Sequence, residues 1–165
     1  MDVNKLKKAA LHLGLLILLY VLQTDVFTRL RIDSVCPMLL PIAAVGFGLF
    51  EGGLRGGLWG IAAGIFCDIS AGTNFLFTIY LCAVGFTAGF LSEFVMARGF
   101  PSFFVMNAVA LPFGALLQIF PLIVYHNAPP APLFISLLIQ AAYSMIFVIP
   151  VYFLVRRAAR GRGIL

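Results

Sequence analysis

Charge is scarce in this 165-residue chain: Asp, Glu, Lys and Arg together make up 10% of it. Soluble globular domains carry about 25%, so the chain is not built to fold in water. Histidine is limited to His12 and His126, far apart and away from any nucleophile or ligand set, and His126 in its proline-rich loop reads as solvated. Cysteine is limited to Cys36, Cys67 and Cys82, in or beside apolar segments and without C-x-x-C or Cys/His spacing. That pattern leaves buried, inert thiols. Deep carboxylates are reduced to Asp68, whereas intramembrane hydrolases and metalloproteases need clustered ionisable groups. No enzyme, no metal and no cofactor is therefore expected.

What is abundant is apolar length. Hydrophobic residues make up 62% of the chain and the mean hydropathy is +1.09. The few charges fall between long apolar runs, the pattern of an integral membrane protein. Those runs consume nearly the whole length, so no soluble catalytic domain fits within it. The net charge of +5 sits at the termini and in short loops, where basic residues orient spans and meet anionic lipid, not nucleic acid. Lys5-Leu6-Lys7-Lys8 ahead of an apolar stretch mimics a signal peptide. No small-x-small cleavage site follows, so the stretch reads as a retained first span.

Six spans are expected, at about 9–27, 35–50, 56–72, 75–96, 102–125 and 133–155, in one transmembrane domain. Thr24 to Ser34 is a short connection whose Asp25, Arg29, Arg31 and Asp33 balance. Pro37 and Pro41 open the second span, where proline is tolerated. Glu51 to Arg55 reads as a tight turn and Ala97 to Pro101 as another. The fifth span is expected to be interrupted by Pro112 and Pro121, and 126–132 to be a stiff loop. An even number of spans puts both termini on one side. Nine of the eleven basic residues fall on that side, and only Arg29 and Arg31 on the other. By the positive-inside rule the termini are cytoplasmic.

The chain reads as organised around residues 55–68, taken as the central helix. Gly56, Gly60, Gly64 and Asp68 are four residues apart, and each such step advances about 40° beyond a full helical turn. They form one slowly spiralling stripe of three notches and a carboxylate. In lipid, helices associate by packing and small residues let backbones approach. Gly85 and Gly89 repeat the spacing in the fourth span, so the third and fourth spans are expected to pack closely. Arg55 and Glu93 are candidates for contacts at the cytoplasmic edge, in pairs Glu51/Arg55 and Glu93/Arg98. Asp68 has three open roles: capping backbone groups where its span ends, pairing with Arg29 or Arg31, or binding a cation or proton. Asn107, Gly114 and Gln118 share one helical face, as do Ser136, Gln140 and Tyr143 or Ser144. Such polar stripes either hydrogen-bond across helix interfaces or line a small-ligand cavity.

The run Gly56-x3-Gly60-x3-Gly64-x3-Asp68-Ile69-Ser70-Ala71-Gly72 resembles the G-x3-G-x3-D-(hydrophobic)-x-S/G region of the rod shape-determining MreD family. A proline-bearing second span and a basic turn residue, Arg55, precede it as in that family. The resemblance covers about Val35 to Glu93; outside it only hydrophobicity and span count agree. Asn74-Phe75-Leu76-Phe77 stands where the family often has a glycine. The resemblance implies an all-α six-helix bundle in the bacterial cytoplasmic membrane, a non-enzymatic subunit of the cell-elongation machinery. Its implied partners are MreC, the synthase RodA with its transpeptidase, and indirectly MreB filaments. The alternative is the substrate-binding S component of an energy-coupling-factor vitamin transporter, similar in size and span count. Against it, Thr24 to Ser34 is short for a ligand lid, and the first span offers only Gly14 for docking. An ion pore would need rings of charge that the chain lacks.

Overall fold

A helix that is apolar on every side is hidden from water, in a protein core or in a membrane. Residues 38–50 carry no polar side chain, and they become the centre of the molecule. The structure is a computed structural model that describes residues 3–26, 37–94, 99–126 and 130–159. The described residues form six α-helices: α1 (Val3–Val21), α2 (Leu39–Glu51), α3 (Gly53–Ala71), α4 (Leu76–Phe94), α5 (Phe100–His126) and α6 (Pro130–Ala159). A π-helical turn, Leu22–Val26, extends α1. The described residues contain no strand.

Every residue of α2 from Leu39 to Leu49 is buried. The central helix is therefore α2 and not the 55–68 segment: α3 exposes Leu54, Leu58 and Ile69 on its outer side. The reason lies in side-chain size. Ala43, Ala44, Gly46 and Gly48 give α2 room for neighbours all round, with Phe103 and Val155 against Gly46 and α4 backbone against Gly48. α2 is also short. Its 13 residues span about 20 Å at 1.5 Å per residue, against about 30 Å for a bilayer's hydrocarbon core.

Both ends of this short helix are sealed by the protein. At its start the Met38 amide donates to Ser144 Oγ at 2.9 Å, and Leu39 and Leu40 donate to Gln23 Oε1 at 2.9 and 3.2 Å. At its end the chain turns into α3 at one residue, Gly52, with φ 91° and ψ 171°. That region of backbone space is essentially reserved for glycine, so the five-residue turn expected at 51–55 contracts to this single break.

Two other expectations change for local reasons. α5 is unbroken through both Pro112 and Pro121, because isolated missing N–H groups can be tolerated inside a membrane helix. α6 begins at Pro130, inside the expected 126–132 loop, since proline's fixed φ suits a first helical turn.

Among the described residues three stretches are long and apolar enough to cross a membrane: α4, residues 100–119 of α5, and residues 133–159 of α6. Residues 9–25 and α2 form shorter apolar helices. Ile79, Phe94, Val109, Leu138 and Phe153 stand on the outside, each 60% or more exposed. So large an apolar exterior suits lipid rather than water and marks the chain as a membrane protein.

Candidate functional site

The glycines single out one contact. α3 and α4 run back to back with almost no side chain between them. A Cβ on Gly60 would overlap the Leu81 carbonyl, one on Gly64 would meet the Thr78 backbone, and one on Gly89 would meet Gly52 and Gly53. Gly56 and Gly85 face each other's backbones, and Gly48 of α2 joins them, so three helices meet at three glycines. Gly48 is the member that the sequence reading did not single out. Its signal was present: the four-residue period of the stripe runs back through Gly52 to Gly48.

The stripe ends on Asp68, which is 8% exposed. One oxygen accepts from Thr73 Oγ1 at 2.5 Å and the Phe77 amide at 3.1 Å. The other accepts from the Thr78 amide at 2.9 Å and Thr78 Oγ1 at 2.6 Å. Of the three roles open to Asp68, these bonds correspond to capping, with one difference. The carboxylate caps the start of α4 rather than its own helix end. Its own helix closes through its backbone, with the Gly72 and Thr73 amides donating to the Asp68 carbonyl, and Gly72 is left-handed at φ 66°. Four donors occupy the carboxylate, and each bond to a charged acceptor contributes about 1.5–3 kcal/mol. The Arg29 and Arg31 side chains of the pairing role lie outside the described residues.

A second cluster forms at the opposite end of α2. Glu51, whose side chain is 5% exposed, has Arg55 Nη1 at 3.6 Å and His12 Nε2 at 3.6 Å. The His12 ring lies over Trp59 at 5.3 Å and meets the Phe47 ring edge-on at 4.8 Å. Sequence reasoning gave His12 no role, because its partners come from α2 and α3. Here it fixes α1 to both. Arg55 is 64% exposed, so its pair with Glu51 contributes at most about 1 kcal/mol. Glu93 lies over Gly52, where a Cβ would touch its Oε1. Arg98, its expected partner, falls outside the described residues.

The polar stripes of α5 and α6 divide between two tasks. Asn107 is fully buried and donates to the Phe103 carbonyl of its own helix at 2.8 Å. Gly114 receives the ring of Tyr80, whose hydroxyl donates to the Ala110 carbonyl and ties α4 to α5. Gln140 Nε2 donates across the interface to Gln118 Oε1 at 3.1 Å. This amide pair also lines a cavity of about 390 Å³ at the Asp68 end of the bundle, over the first turn of α2. No group of three or more His, Cys, Asp or Glu able to hold a metal occurs among the described residues.

Comparison with known proteins adds no name to these features: no family model, no curated protein and no solved structure matches the chain.

Proposed function

We propose that this protein is a non-enzymatic, six-span subunit of the bacterial cell-elongation machinery, resident in the cytoplasmic membrane with both termini in the cytoplasm. One observation carries the reading. The residues that resemble the MreD region, Gly56 to Gly72, are the ones that bring α3 and α4 together at glycine contact and close their hairpin on Asp68. A motif spent on internal packing gives the subunit a fixed shape, which suits a protein that works by presenting surfaces to other membrane segments. The distribution of basic residues supports the orientation. On this reading the outward faces of the bundle contact MreC and RodA with its transpeptidase, and the link to MreB is indirect.

The test is purification from native membranes in mild detergent, followed by identification of what accompanies the chain. Recovery of MreC and the elongation synthases is the expected outcome. A second reading, the S component of a vitamin transporter, is favoured by the cavity beside Gln118 and Gln140. Recovery of a transmembrane coupling subunit with paired ATPases would replace the first reading with the second.

A further inference from the structure

The cavity at the Asp68 end has the construction of a ligand site. Each of the six helices supplies a wall residue: Tyr20, Pro41, Cys67, Phe77, Gln118 and Gln140. Its volume of about 390 Å³ falls within the range of about 300–1,000 Å³ usual for small-molecule sites. Two further hollows, of about 430 and 730 Å³, have almost wholly apolar walls, and the hydroxyls of Tyr80, Thr87 and Thr78 in them already donate to groups within the protein.

The walls determine what can enter. No charged side chain lines the cavity among the described residues. The carboxylate of Asp68 already accepts four hydrogen bonds, one from Thr73 in the turn and three from the start of α4. The helix amides beneath, at Met38, Leu39 and Leu40, are taken by Ser144 and Gln23, so they offer no anion site. An ion entering here would lose water and find no counter-charge among the described residues, which is costly in a low-dielectric interior. Of the polar wall residues, the Thr24 and Ser70 hydroxyls donate to backbone carbonyls and Gln23 Oε1 holds the start of α2, which leaves the carboxamide pair Gln118 and Gln140, in a wall shared with the apolar Phe77 and Pro41. A side-chain amide offers a donor and an acceptor side by side, as in the two-point pairing of glutamine with adenine.

We propose that this cavity binds a neutral, dissolved small molecule that pairs an amide or lactam edge with Gln118 and Gln140 and lays an apolar ring against Phe77. The site is separate from the elongation reading and stands whichever assembly the chain serves.

Cys67 provides a native reporter, because it lines this cavity while Cys82 lines a different one. The full chain in phosphatidylcholine nanodiscs is alkylated with N-ethylmaleimide, and each cysteine is followed by peptide mass spectrometry. Nicotinamide and nicotinate are the competing probes, alike in size and differing in amide against carboxylate. Nicotinamide is expected to slow Cys67 alkylation saturably, at least fivefold, with Cys82 unaffected and nicotinate inert. Gln118→Leu is expected to raise the half-protecting concentration at least tenfold, and Gln140→Met serves as a second variant. Because Cys67 is buried, binding of radiolabelled nicotinamide to the same nanodiscs is measured alongside. The proposal is overturned by the absence of saturable binding, by equal competition from nicotinate, or by a folded Gln118→Leu protein with unchanged binding. Should both variants fail to fold, the two probes on the native chain decide alone.

Discussion

At Gly60 the missing Cβ would fall on the Leu81 carbonyl, whereas at Gly14 nothing lies within 4 Å of it. The two glycines make a matched pair for mutation. Gly60→Ala is expected to destabilise by about 3 kcal/mol, the upper end for overpacking, because the obstacle is backbone that cannot rotate away. Gly60→Leu should leave no folded monomer by size-exclusion chromatography in detergent, while Gly14→Leu elutes as the native chain does. Asp68→Asn keeps one acceptor oxygen but turns an amide nitrogen toward donors. A loss of about 1–3 kcal/mol follows, read as a lower thermal-unfolding midpoint. The stripe was legible in the sequence because its period is regular and local. Where Asp68 points was not: Phe77 and Thr78 lie nine and ten residues further on, across a turn whose geometry no periodicity records.

Between elements, the joint at Gly52 is the most constrained. Its φ of 91° and ψ of 171° disfavour any side chain by about 1–3 kcal/mol, and a Cβ there would also strike Glu93. Gly52→Ala should therefore lower the unfolding midpoint, and Glu93→Ala in the same chain should recover only the steric share. Gly72→Ala offers a comparison, since it is left-handed at φ 66° but has open space around it. Its cost is expected to be the smaller of the two. Helix existence was readable from the apolar runs, while helix boundaries were not. Pro112 and Pro130 look alike as breakers, yet one lies within α5 and the other opens α6.

For the whole molecule, the proposed orientation makes a direct prediction. A green fluorescent protein fused after Leu165 should fluoresce, and alkaline phosphatase fused after Gly72 should be active. The reverse pair of results would invert the bundle. The sequence identified the members of this assembly better than their arrangement. Glycine periodicity drew attention to α3, yet the centre is α2, whose lack of any polar face was the stronger signal. The cavity was legible only as the separate polar stripes of α5 and α6, because its other walls come from four distant segments. His12 was missed for the same reason.

The enclosure of α2 bears on the order in which the protein is made. A chain emerging from the ribosome delivers α2 long before Phe103 and Val155, the residues that cover Gly46. Until α5 and α6 arrive, that side of the helix has no protein neighbour. A segment of about 20 Å also fits poorly in a lipid core of about 30 Å. Completion of the core is thus postponed until α6 is made. Loss of α6 should consequently be felt at α2, made long before it, and its addition is the step that commits the bundle.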